Sequence, residues 1–151
     1  MSDKEEIMSL LNRYSHTIDG GDVEGFVALF AKGEWYVEGT PPNRGAEEVR
    51  ENVVSKVIIY PDGTPRTRHV SANIELNIDE AGGTANGQRY VTVLQQTDKL
   101  PLQAIFSGHY HDEFVKDGGE WRFAKTVVHG PFVGDMSQHL KSEDFIDGGS
   151  A

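Results

Sequence analysis

The stretch Val70-Ser71-Ala72-Asn73-Ile74-Glu75-Leu76-Asn77-Ile78-Asp79-Glu80-Ala81-Gly82-Gly83 decides how this chain folds, because the hydrophobic period changes there. Val70, Ala72, Ile74, Leu76 and Ile78 alternate with polar residues, the pattern of a half-buried strand, and the acidic and glycine residues after Ile78 predict a turn. Three further strand-like runs follow at residues 84–97, 102–116 and 121–128, with loops at 96–101 and 117–119. Before this stretch the period is helical. Ile7, Leu10, Leu11, Tyr14 and Ile18 predict a helix over residues 4–19, closed by Gly20-Gly21. Asp22 is placed to cap a second helix carrying Val23, Phe26, Val27, Leu29 and Phe30. A short strand at Trp35-Tyr36-Val37 precedes a third helix with Ala46, Val49, Val53 and Val57. Helices followed by a meander of long strands predict an α+β fold, a curved antiparallel sheet covered on one side by helices. The longer runs greatly exceed the roughly five or six residues of a typical strand, so they must bend. A bent sheet closed by helices leaves a pocket on its concave face, suited to small apolar ligands.

The 151 residues are read as a single domain over 1–151, with 141–151 a flexible tail ending in Asp147-Gly148-Gly149-Ser150-Ala151. The absence of cysteine excludes disulfides, thiolate nucleophiles and cysteine-bound metals, and leaves the cytoplasm as the expected compartment. A formal charge of −10 argues against nucleic acid and anionic membrane surfaces as partners. No run reaches the ~20 apolar residues needed to cross a bilayer, and the acidic N-terminus is not a signal peptide.

Two residues far apart in sequence are the candidates for chemistry. Asp19 closes the first helix and His69 lies in the first long strand. A carboxylate beside an imidazole fixes its tautomer and stabilises its charged form, the minimum equipment for cofactor-free proton transfer. Asp19 sits where the helix dipole disfavours negative charge, so a compensating partner is expected. Strict alternation puts His69 on the face opposite Val70 and Ile74; a β-bulge between His69 and Ile74 would turn it inward. Tyr14 falls on the buried stripe of the first helix, and its hydroxyl needs a partner there. His109 and His111 leave one face of a strand together. Phe106, Gly108 and Tyr110 mark the other face as concave, so the histidines are read as outward-facing and no metal site is assigned. His129 and His139 receive no role, His139 lying in a segment that can fold over the pocket. There is no glycine-rich phosphate loop and no Gly-x-Ser-x-Gly nucleophile motif.

Several pieces, in this order, resemble the SnoaL-like branch of the NTF2-like proteins across roughly residues 5–140. They are Tyr14 with Asp19-Gly20-Gly21-Asp22, Phe26 through Phe30, Gly33-Glu34-Trp35, and the segment from Arg68-His69 to Ile74. Gly108-His109-Tyr110-His111-Asp112, Gly119-Glu120-Trp121-Arg122-Phe123-Ala124 and Gly134-Asp135-Met136-Ser137-Gln138-His139-Leu140 complete the set. The resemblance implies a cone whose curved sheet wraps around N-terminal helices. The subgroup includes scytalone dehydratase, bile-acid 7α-dehydratase and hexachlorocyclohexane dehydrochlorinase, cofactor-free eliminating enzymes in which an aspartate pairs with a strand histidine acting as base. By that likeness Asp19, His69 and Tyr14 are the expected catalytic residues. Trp35 and Tyr110 are expected to line a substrate pocket, together with Thr126, which stands where some members carry an arginine. The strand at 84–97 lacks the further acid of the bile-acid enzyme, which leaves Tyr14 or another pocket hydroxyl to stabilise developing charge. The implied protein is a cofactor-independent lyase or isomerase for a small apolar, aromatic or polycyclic substrate, forming a homodimer or homotrimer. Polyketide cyclases and the non-catalytic β subunits of ring-hydroxylating dioxygenases share the fold and remain alternative readings.

Overall fold

The computed structural model describes residues 1–142. The tail expected at 141–151 lies, from residue 143 onward, outside the described residues. The chain forms α1 (Asp3–Asp19), α2 (Val23–Ala28), β1 (Glu34–Val37), β2 (Asn43–Arg44), α3 (Gly45–Lys56), β3 (Thr67–Asp79), β4 (Thr84–Thr97), β5 (Leu100–Asp117) and β6 (Glu120–Val133).

Helix α1 starts where the Ser2 side chain accepts a hydrogen bond from the Glu5 amide, satisfying one of its free donors. It stops at Gly20-Gly21, where the Gly20 amide returns to the His16 carbonyl and Gly21 takes a φ of 76°. Asp22 caps α2 as expected, accepting from the Gly25 amide at 2.9 Å. The apolar stripe of α1, with Ile7, Leu10, Leu11, Tyr14 and Ile18 all at most 5% exposed, packs into the curve of the sheet.

The six strands lie in the order β2-β1-β6-β5-β4-β3. The four long strands pair antiparallel, as expected from the meander. The sheet as a whole is mixed, because β1 pairs parallel to β6, Trp35 opposite Thr126, while the two-residue β2 pairs antiparallel to β1. Neither pairing follows from periodicity, since a short strand carries no signal of which edge it will join. The tight approach of β1 is prepared at Gly33, where a Cβ would stand 2.6 Å from the Phe123 carbonyl oxygen.

Strand β3 holds the feature on which the site depends. Its pairing with β4 slips between Ala72 and Glu75, where three steps on β3 match two on β4. Asn73 occupies the left-handed region at φ 52°, which asparagine tolerates better than most residues. This bulge inverts the alternation. Ile74, Leu76 and Ile78 pack against the core from one side of it; on the other, Thr67 and His69 turn to that same concave face while Val70 is 45% exposed. After β6, residues 134–141 cross back over the open end. The Gly134 amide binds the Ile105 carbonyl, Ile58 donates to the His139 carbonyl, and Lys141 donates to the Lys56 carbonyl.

Candidate functional site

The concave face and the three helices enclose a cavity of about 560 Å³. Its wall is mostly apolar, from Ile18, Phe26, Val53, Phe106, Val128 and Met136 among others, and its polar groups include Tyr14, Asn43, Asn52, Lys56, His69 and His139. A volume of this size accommodates a molecule of one to three rings.

Asp19 and His69 meet at one end. Asp19 Oδ1 stands 2.6 Å from His69 Nδ1, and Oδ2 accepts the His69 backbone amide at 2.7 Å. The Thr67 hydroxyl donates to Oδ1 at 2.9 Å. A carboxylate only accepts, so Nδ1 carries a proton, and in the neutral ring Nε2 carries the lone pair. The side chains are only 18% and 10% exposed, which shields the pair from water. Two strand residues of the same phase, Thr67 and His69, thus clamp the last residue of α1. The helix end supplies the anion, and the bulge at Asn73 keeps both partners on the concave face.

Tyr14, Trp35 and Tyr110 line the cavity. The Tyr14 hydroxyl accepts from Trp35 Nε1 at 2.9 Å, and the Tyr14 ring lies edge-on to that of Tyr110 at 6.2 Å between centroids. Burial raises the pKa of both tyrosines, most strongly that of Tyr110, so both stay protonated near neutrality; the Arg89 charge opposes that rise at Tyr14. With Trp35 donating to its oxygen, Tyr14 can direct its own proton toward the cavity. Its ring stands 6.2 Å, centroid to centroid, from that of His69.

Thr126 is not a cavity residue. It is fully buried on β6, and its hydroxyl donates to Asp112 Oδ1 at 2.7 Å, behind the cavity wall. The residue paired with Trp35 in the parallel β1–β6 ladder bonds this carboxylate and does not line the cavity. Asp112 belongs to a buried ion pair that sequence reading missed. Arg89 donates to it through Nε at 2.8 Å and Nη2 at 3.3 Å, and through Nη1 to Ser71 at 3.0 Å. The guanidinium carbon lies 4.8 Å from the centre of the Tyr14 ring and 5.0 Å from that of Tyr110. The signal was present. Arg89 shares the inward phase of Val91 and Val93, and Asp112 that of Tyr110 and Phe114, so opposite charges occupy core positions on neighbouring strands.

His139 is the second missed residue. The residue is 8% exposed and its Nδ1 is buried with no hydrogen-bond partner. Burial, and secondarily the proximity of His69, lowers its pKa to about 4, so it is neutral at physiological pH. His109 and His111 do face outward. Their rings and that of His129 form a row along the outer face with edge-on and tilted contacts, at centroid separations of 4.6 and 4.5 Å, and Tyr90 lies edge-on to His109. His109 bonds Gln88 and His129 bonds Glu38. Among the described residues no cluster has the geometry to hold a metal ion, and no helix is long and apolar enough to cross a membrane.

This arrangement has relatives. A SnoaL-like domain model matches residues 1–127. Rv3472 of Mycobacterium tuberculosis, a protein of unknown function, is 26% identical with a TM-score of 0.69, over 83% of this chain and 70% of that one. A protein of unknown function with a cystatin-like fold from Nostoc punctiforme is 25% identical, TM-score 0.68, over 84% and 90% of the two chains. A Novosphingobium aromaticivorans structure provisionally designated scytalone dehydratase is 21% identical, TM-score 0.66, over 83% and 82%, a likeness of fold. No curated protein matches the chain. The helices, the curved six-stranded sheet and the matched domain together make this chain a member of the SnoaL-like family, within the NTF2-like α+β fold.

Proposed function

We propose that the protein is a cytoplasmic, cofactor-independent lyase or isomerase that moves a proton on an apolar, oxygenated small molecule. The observation that carries this reading is the 2.6 Å contact between Asp19 and His69 Nδ1 at the wall of an apolar cavity. It leaves Nε2 of His69 as the base. In a dehydration, Nε2 takes the proton from carbon beside a carbonyl, and the electron pair moves into the carbonyl as an enolate. The enolate re-forms the carbonyl and expels hydroxide from the next carbon. The hydroxide takes up the proton held by His69 and leaves as water, so a β-hydroxy ketone becomes a conjugated enone. Asp19 balances the transient imidazolium, and the Tyr14 hydroxyl hydrogen-bonds the departing oxygen. An isomerisation uses the same first step and returns the proton to a different carbon. A non-catalytic assembly domain would have a filled pocket and an uncoupled pair; an open cavity and a 2.6 Å contact count against it.

The exposed Val70 and Tyr90 on the outer face, Tyr90 lying against His109, support assembly into a homodimer or homotrimer, which light scattering on the purified protein measures.

The test of the proton-transfer step uses 2-tetralone, a bicyclic ketone with acidic protons next to its carbonyl. In heavy water the wild-type protein is expected to accelerate deuterium uptake at those positions. His69→Gln removes the base and should reduce exchange to background. Asp19→Asn, which donates where the carboxylate accepted, should lower the rate about 10²–10⁴-fold. Equal exchange by wild type and His69→Gln refutes the reading.

A further inference from the structure

Residues 134–141 contribute Met136, His139 and Leu140 to the cavity wall, and they lie beyond the part of the chain matched to the SnoaL-like domain. This segment is firmly held. Its backbone pairs with α3 and the residues after it, through Ile58 to the His139 carbonyl and Lys141 to the Lys56 carbonyl. Gln95 Nε2 and the Tyr60 hydroxyl both donate to the Gln138 carbonyl. Met136 and His139 turn inward from it. A histidine anchored this well, more than nine-tenths buried and lining a cavity, ordinarily bonds through at least one ring nitrogen. Among the described residues His139 has none: Nδ1 is enclosed without a partner, and no described group bonds Nε2.

The two nitrogens are not equivalent. A buried N–H without an acceptor is rarer and costlier than an unpaired acceptor, so the enclosed Nδ1 carries the lone pair and the proton sits on Nε2. Nε2 is absent from the enclosed, unpartnered atoms, so the space it reaches is the cavity that the ring lines. The group therefore offers a neutral N–H donor into the cavity. His69, whose Nε2 carries a lone pair, offers the opposite polarity. One ring is suited to take a proton from carbon and the other to hold the oxygen on which the charge develops.

We infer that His139 is a substrate-binding residue, whose Nε2–H donates a hydrogen bond to a carbonyl oxygen of the ligand in this cavity. Its burial keeps it uncharged, so it polarises a carbonyl without repelling the imidazolium formed at His69. The inference rests on the cavity being the substrate site, and it narrows the substrate class to ketones and related carbonyl compounds. It leaves the Tyr14 hydroxyl for a second oxygen, the leaving hydroxyl of a β-hydroxy ketone.

The experiment again uses 2-tetralone, with tetralin, the same rings without oxygen, as its control. Infrared difference spectra of the bound ketone read the carbonyl directly. In the wild type its stretch is expected below the value in an apolar solvent. In His139→Phe it should return toward that value, with binding weakened about 3- to 10-fold, the worth of one neutral hydrogen bond. Tetralin binding should be unchanged. His139→Gln retains a donor and should restore part of the shift, which a merely structural role would not do. If a variant fails to fold, wild-type protein labelled with ¹⁵N-histidine answers the same question: the Nε2 resonance of His139 should move with 2-tetralone and not with tetralin. A carbonyl stretch unaffected by His139→Phe, or lost only in Tyr14→Phe, overturns the proposal, as does failure of the ketone to bind. Deuterium exchange separates this outcome from the fate of the base. Exchange that persists beside an unshifted carbonyl removes His139 and leaves His69; a His139-dependent shift without exchange does the reverse.

Discussion

Converting Asp112 to asparagine keeps its shape and removes its charge, which isolates the electrostatics beneath the cavity. Asp112 is 3% exposed and Arg89 1% exposed. The carboxylate accepts two bonds from the guanidinium and one from Thr126. The amide of Asn can accept on one atom only, and its NH₂ faces either Arg89 or Thr126, so at least one donor loses its partner. The larger effect is the guanidinium charge left in a dry interior between two tyrosine rings. Removing one member of a buried pair costs about 3–5 kcal/mol. For a chain of this size that corresponds to a fall of roughly 6–20 °C in melting temperature. Urea unfolding followed by tryptophan fluorescence reads it, with Trp35 and Trp121 both in or against the core. Thr126→Val, isosteric but without the hydroxyl, should cost about 1.5–3 kcal/mol, since its bond is to a charged group. Replacing both partners, Arg89→Met with Asp112→Leu, should recover most of the loss, because an apolar pair needs no compensation. The reasoning is refuted if Asp112→Asn lies within 1 kcal/mol of wild type, or if the double apolar variant is less stable than the single one.

Deleting Asn73 removes the extra residue of the bulge and should rotate residues 67–72 to the opposite face, taking His69 away from Asp19. Loss of the locked Nδ1–H tautomer in ¹⁵N spectra, with the fold retained by circular dichroism, is expected; an unchanged tautomer would show that the Asp19 clamp outweighs the register. His139 makes stability depend on pH. Its folded pKa of about 4 lies below the ordinary 6.5, so the unfolded chain binds the extra proton between those values. Its contribution is complete above pH 6.5 and is lost as pH falls toward 4, about 3 kcal/mol in all. Unfolding of wild type and His139→Phe across pH 4–7 should differ in slope over that window, and parallel curves would contradict the burial argument.

Periodicity sufficed for the helices because α1 and α3 each present one apolar stripe to one surface, and the 3.6-residue spacing of Ile7, Leu10, Leu11, Tyr14 and Ile18 is set by that single demand. The long strands were legible for the same reason: β4 reads with its observed ends, and β5 and β6 with their cores in place. The outward direction of His109 and His111 followed from Tyr110 lying between them. The resemblance placed Asp19 and His69 as candidates, but alternation alone pointed His69 outward. The bulge that reverses it depends on which residue of β4 pairs with which of β3, a property of two strands together.

What only the tertiary structure decided are pairings between segments distant in the chain. The sequence contains Arg89, Asp112 and Thr126, yet nothing local distinguishes an inward threonine that touches ligand from one that holds a carboxylate behind the wall. That distinction is made by the 2.7 Å contact across β5 and β6. His139 is an ordinary residue of an irregular segment until the backbone bonds to Lys56 and Ile58 fold that segment over the cavity. A side chain's local pattern sets which way it faces. Its charge state and its partner are set by the low-dielectric space that distant segments enclose around it, so the elements could be read from the chain and the chemistry of the cavity only from the fold.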